Sequence, residues 1–224
     1  MSNFITLGMN GEPVEIDSEL EIKIAEIFNS QYEYIFSVDE GDYIKRLDES
    51  FNEVKAALIA LLMPYIFSGA KYAIDLIRGE FPGYDEDVTE ELLATFSEHI
   101  EESLRKIHET TRRRLIALLQ VSPNLTFENY KTAVIGNRPF VINEYEGVFL
   151  FNRGIIEILK KTRFVYFVKW NTSRDEKVCK ICKPLDGVIM PVAQATIPPI
   201  HFGCRCKLAF VLDKRLLMRR YKTQ

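Results

Sequence analysis

The chain has 224 residues, 47% of them hydrophobic and 12% aromatic, with 4 Cys, 3 His and a formal net charge of −3. That much apolar side chain excludes a disordered, collagen-like or low-complexity polymer and predicts a globular protein of one large domain, or a helical domain with a small one attached. The near-neutral total conceals a division: residues 1–110 carry 24 Asp+Glu against 8 Lys+Arg, and residues 111–224 carry 8 against 21. Either the halves meet different partners or they neutralise each other by packing, and charge alone does not choose between these readings.

Taken in chain order, the first residues carry no pattern. They also lack a basic stretch followed by an apolar core, so no secretory signal is visible; a reducing cytoplasm without structural disulfides is expected. Asp17 or Ser18 caps a helix in which Leu20, Ile24, Ile27 and Phe28 share a stripe, continued by Tyr32, Ile35 and Phe36. After the turn signal Gly41-Asp42, helical spacing from Ile44 through Leu47, Phe51, Leu58 and Leu62 reaches Pro64, which kinks or ends the element before a shorter segment, Tyr65 to Ile77. The longest apolar run, Ala56 to Phe67, has 12 residues, short of the roughly 20 that cross a bilayer. It predicts a buried helix and no membrane partner.

Gly79 to Asp87 breaks the chain, and Asp87 with Glu90 resembles a capping box before a long helix. Its apolar positions, Leu92, Leu93, Phe96, Ile100, Leu104, Ile107, Leu115 and Leu119 among them, carry it to about Val121. His99 and His108 fall on it as ordinary partly exposed residues. Arg112, Arg113 and Arg114 fit either a solvated helix end favoured by the macrodipole or a phosphate-facing surface. A short helix from Phe127 ends at Gly136, and a further apolar segment runs from Val141 to Leu159. FVYFVKW (Phe164 to Trp170), GVIMPV (Gly187 to Val192) and KLAFVL (Lys207 to Leu212) read as strands. The expected fold class is therefore α+β: a mainly helical body over 1–160, a small zinc-stabilised module over 161–212 and a basic tail over 213–224.

All 4 cysteines lie between positions 179 and 206. Cys179 and Cys182 form a CxxC, whose turn aims two thiolates at one point, and His201, Cys204 and Cys206 supply candidates for the remaining corners of a tetrahedron suited to Zn²⁺. Five candidates compete for four places. Cys179, Cys182 and His201 with Cys204 is the simpler set, with Cys206 the alternative fourth ligand, and a closed structural site is favoured over a catalytic one. Residue order excludes a nucleobase deaminase, which needs HxE ahead of PCxxC. HExxH, GxSxG, GxxxxGK[ST] and GxGxxG are all missing, so the usual signatures of metalloproteases, α/β-hydrolases and nucleotide binders are absent from the sequence.

Trp170, Thr172 and Asp175, then the CxxC of Cys179 and Cys182, then Leu185-Asp186-Gly187, then Pro198-Pro199-Ile200-His201 and Cys204-Arg205-Cys206, resemble the C-terminal signature of the phage Mu F-like head morphogenesis family. The resemblance covers about 40 of the 224 residues. It implies a minor head protein of a tailed bacteriophage, a virion component assembled in the host cytoplasm. Expected partners are the portal protein and the major capsid protein, with roles in DNA packaging or ejection. Relatives commonly carry Arg-Thr-Glu upstream, followed by Asn and a small residue. Here the matching stretch is Ile142-Asn143-Glu144 with Asn152 and Gly154, so the Arg is missing.

The remaining motif residues have plain readings. Trp170 is an apolar lid on the module, Asp186-Gly187 is a turn, and Pro198-Pro199 is a rigid lead-in to His201. Asp175 either orients His201 behind the metal or caps the CxxC turn. Arg205 turns inward or binds phosphate. The basic C-terminal half is suited to non-specific DNA contact. The rival expectation is a zinc-dependent phage enzyme, a nuclease or small transferase using the metal with Asp175 or Glu176, although no acid, base or nucleophile is placed apart from the ligands.

Overall fold

A computed structural model describes residues 4–7, 18–37, 42–85, 87–122, 125–162, 165–201, 203–213 and 215. The chain order is β1 (Phe4–Leu7), α1 (Ser18–Ile35), α2 (Tyr43–Glu80), α3 (Glu90–Val121), α4 (Phe127–Tyr130), α5 (Arg138–Ile142), α6 (Val148–Lys161), β2 (Val165–Asn171), β3 (Ile189–Pro191) and β4 (Lys207–Asp213). The protein is mainly helical with a small antiparallel sheet, as the α+β expectation holds. Asp17, Gly41, the basic residues beyond Arg215 and the side chains of Leu92, Leu93, Phe96 and His99 lie outside the described residues.

In place of one boundary near residue 160, the chain divides into two compact units. One holds α1, α2 as far as Met63, α3, α4 and α5; the other holds β1, α2 from Pro64 onward, α6 and the remaining strands. The physical reason is that α2 does not end at Pro64. It runs through the proline with apolar residues on both sides, so one helix contributes to both units. By length and composition α2 is apolar enough to span a bilayer, with a mean hydropathy of 1.5 over its best stretch. Its Leu58, Leu62, Ile66, Ala70, Ile74 and Ile77 are nevertheless buried within the protein.

In the helical unit, Leu20, Ile24 and Phe28 lie on one face of α1 at four-residue spacing and are buried with Leu47 and Leu58 of α2 and Leu104 and Leu115 of α3. That spacing returns to the same helix face each turn. A buried polar pair interrupts this core, with Gln31 Nε2 donating to Ser50 Oγ at 2.9 Å. His108 stacks on Phe51 with ring centroids 4.2 Å apart, and its Nε2 lies 3.0 Å from Asp48 Oδ1. The short helix expected from Phe127 to Ile135 is present, capped by Thr126, but from Lys131 to Ile135 it widens to π geometry before Gly136 at φ +55°.

In the second unit, α2 and α6 cross at two glycines. A Cβ on Gly69 would overlap the carbonyl of Phe151, and one on Gly154 the carbonyl of Ile66. Only glycine permits so close an approach of two backbones. α6 buries Leu150, Ile155, Ile158 and Leu159 and packs against β2. The sheet order is β1-β4-β2-β3, with every pairing antiparallel. The three expected strands are all present. β1 is an addition, because its four residues carry too little pattern to be read and form a strand by pairing Phe4 with Asp213 and Leu7 with Phe210.

The expected capping box also takes another form. Asp87 Oδ1 accepts from the Val88 amide at 2.9 Å, two residues before α3 begins at Glu90, whose side chain lies outside the described residues.

Candidate metal centre

β2 delivers the chain to the site through Trp170, which is fully buried. Its backbone pairs with the far side of the loop: the Gly187 amide donates to the Trp170 carbonyl at 2.8 Å, and the Trp170 amide to the Val188 carbonyl at 2.9 Å. Gly187 at φ +79° makes the turn that returns the chain. Asp186 ties the loop together, its Oδ1 accepting from the Thr172 amide at 2.9 Å while Arg174 lies 3.3 Å from its other oxygen. The Asp-Gly turn and the buried tryptophan therefore stand as their residue types suggested.

Asp175 organises the next turn. Its carboxylate accepts from the Lys177 amide at 3.0 Å and from Ser173 Oγ at 3.2 Å, and it takes a two-pronged pair from Arg205 with both bonds at 2.7 Å. That guanidinium holds the Asp175 carboxyl down at about 2. Of the two roles foreseen for Asp175, these bonds to the Lys177 amide and Ser173 Oγ favour capping the turn ahead of the CxxC. Arg205 faces this carboxylate, which ties the Cys204-Arg205-Cys206 segment to the loop before Cys179.

The CxxC closes on itself, the Cys182 amide donating to Cys179 Sγ at 3.3 Å. That N–H is the main reason the Cys179 thiol lies below its usual range. His201 Nε2 stands 3.0 Å from Cys179 Sγ and 3.1 Å from Cys182 Sγ, and Cys182 Sγ lies 3.7 Å from Cys204 Sγ. The ligand atoms of Cys179, Cys182 and His201 form one close set, and those of Cys182, Cys204 and Cys206 a second that shares Cys182. All five candidates thus converge, and all four cysteines are free thiols.

These residues fit a tetrahedral metal. With metal–sulfur bonds of about 2.3 Å, two thiolates of a zinc tetrahedron stand about 3.8 Å apart, close to the Cys182–Cys204 separation. The sulfur–imidazole distances are about 0.5 Å tighter than a zinc edge, so a small outward shift of His201 seats an ion. Burial pushes the Cys182 thiol well up and the Cys206 thiol to about 11. A divalent cation reverses that preference, because a coordinating thiol gives up its proton. Trp170 Nε1 is buried without a hydrogen-bond partner. Its indole lies close enough to Cys206 to favour the thiolate. The cavity among these side chains measures about 40 Å³, the size of an ion or a single water.

Two supporting residues come from outside the cysteine segment. Asn152 of α6 is buried and donates from Nδ2 to the Pro198 carbonyl at 2.9 Å, holding the lead-in to His201. Asn152 belongs to the stretch matched to the family pattern, and this contact gives it a structural role. Tyr145 was not foreseen: its hydroxyl is pushed up mainly by burial, with further contributions from Glu146 and Cys204. It lies in a π-helical stretch, Asn143–Gly147, and nothing in its local sequence signals a cysteine neighbour. Glu176 is exposed. No family model, curated protein or solved structure matches the chain.

Proposed function

We propose that this protein is a minor head component of a tailed bacteriophage whose C-terminal module is folded around a structural Zn²⁺. The observation that supports it is the convergence of Cys179, Cys182, His201, Cys204 and Cys206, with Asn152 bound to Pro198. Residues spread along the signature thereby act as one physical unit. Zn²⁺ would take Cys179, Cys182 and His201 with one of Cys204 and Cys206, and would supply folding free energy to a segment too short for a large core of its own.

A building role is favoured over catalysis by the small cavity and by Asp175, whose carboxylate is already engaged by Arg205. On this reading the portal protein and the major capsid protein are the partners, and the basic C-terminal half makes non-specific contact with packaged DNA. Quantitative mass spectrometry of purified particles and procapsids of the encoding phage tests it. A few copies per particle is the expected result. Absence from both particles and procapsids rejects the assignment.

A further inference from the structure

The basic triplet near the end of α3 divides into unlike parts. Arg112 Nε reaches Asp48 at 3.2 Å, and Arg113 lies 3.4 Å from Thr110 Oγ1. Arg114 instead extends Nη1 toward the Val134 carbonyl at 3.5 Å, beside the turn at Gly136. Next along the chain, Arg138 opens α5 and is more than nine-tenths buried, with one guanidinium nitrogen donating to Thr111 Oγ1. Its other terminal nitrogen, Nη2, is buried without a partner, and so is the hydroxyl of the fully buried Tyr130. No carboxylate among the described residues pairs with Arg114 or Arg138.

A buried guanidinium is ordinarily matched by an anion, because an unpaired charge is the costliest group to remove from water. Here the neighbouring charge has the same sign. Burial, and after it Arg114, lowers the Arg138 guanidinium to about 10. At Gly136 the backbone leaves room near Arg114. A Cβ built there would meet only the Thr132 carbonyl at 3.6 Å and Arg114 Nη1 at 4.0 Å, and the positive φ keeps that position glycine.

We propose that Arg114, Arg138 and Tyr130 form a binding site for one small oxyanion of the phosphate class, held against the Gly136 turn of the helical unit. Arg138 Nη2 and the Tyr130 hydroxyl supply two donors that lack acceptors, and Arg114 closes over the anion from the exposed side of α3. Two guanidiniums and a phenol match the several acceptor oxygens of a tetrahedral anion better than the two of a carboxylate. The site uses none of the Cys/His residues and does not depend on the phage reading.

Calorimetric titration of the full chain with inorganic phosphate, in a chloride buffer of constant ionic strength, tests the site. One phosphate per chain is expected, with a rise in Tm on the order of 5 °C at a hundredfold excess over Kd. Arg138→Met and Tyr130→Phe should each weaken phosphate about tenfold or more. Without phosphate, Arg138→Met should melt no lower than the parent, because it removes an uncompensated charge. That result separates a binding role from a structural one, and the isosteric Tyr130→Phe reports independently if Arg138→Met fails to fold. No phosphate-specific response, undiminished binding by both variants, or equal protection by acetate would each overturn the proposal.

Discussion

The helical unit and the segment carrying β2, β3 and β4 are held together by different means. In the first, side chains from successive helices meet in one apolar core, with Gln31 paired to Ser50 inside it. In the second, the sheet buries Val168, Trp170, Leu208 and Phe210 but leaves Tyr166, Phe167 and Ile189 substantially exposed. Its long loops contain little regular structure and are fixed by turns, the Asp175–Arg205 pair and the Cys/His cluster. A core spread over many helical turns tolerates the loss of one contact. Loops that converge on five side chains do not.

On the zinc reading proposed above, the strongest way to break this contrast is to deprive the cluster of its metal. Chelation, or Cys182→Ser, should unfold the loops around the cluster, since structural zinc contributes about 10–16 kcal/mol in small modules. Trp170 is the sole tryptophan of the chain. Its emission should therefore shift to the red while the helical circular dichroism signal is largely kept. Parallel loss of both signals would show that the two regions are not separable. Asn152→Ala probes the same region from α6. Leaving the buried Pro198 carbonyl without its donor should cost about 2 kcal/mol, read as a lower denaturant midpoint by Trp170 fluorescence.

The smallest effect is expected at Asp175. Its folded-state pKa is depressed to about 2 by Arg205, whereas an unfolded aspartate titrates near 4. The stabilisation is therefore present above about pH 4 and lost as the pH falls toward 2. Asp175→Asn should remove that acid sensitivity and lower neutral-pH stability by the same small amount, small because the pair is half-exposed and screened. An acid unfolding titration of both proteins checks this.

Long-period patterns made much of this architecture readable. The stripes of α1, α2 and α3 repeat over several turns, and the aromatic and β-branched runs of β2 and β4 are dense. The five ligand candidates were legible because cysteine is rare and its spacing specific. What escaped notice depends on partners distant in sequence. Four residues at Phe4–Leu7 acquire strand form only beside β4. Pro64 reads locally as a break, yet apolar burial on both sides carries α2 through it. The π-helical stretches, Tyr145 beside Cys204 and the buried position of Arg138 arise from packing that no local window contains.

The pairing of Phe4 with Asp213 sets a timetable for biosynthesis. β1 leaves the ribosome about 200 residues ahead of the strand that must flank it. At elongation rates of about 5–20 residues per second the interval is on the order of ten to forty seconds. α1, α2 and α3 have ample time to form within it, since helices grow in microseconds or less. The sheet is then completed when β4 reaches β1 and brings Asp213 beside Phe4.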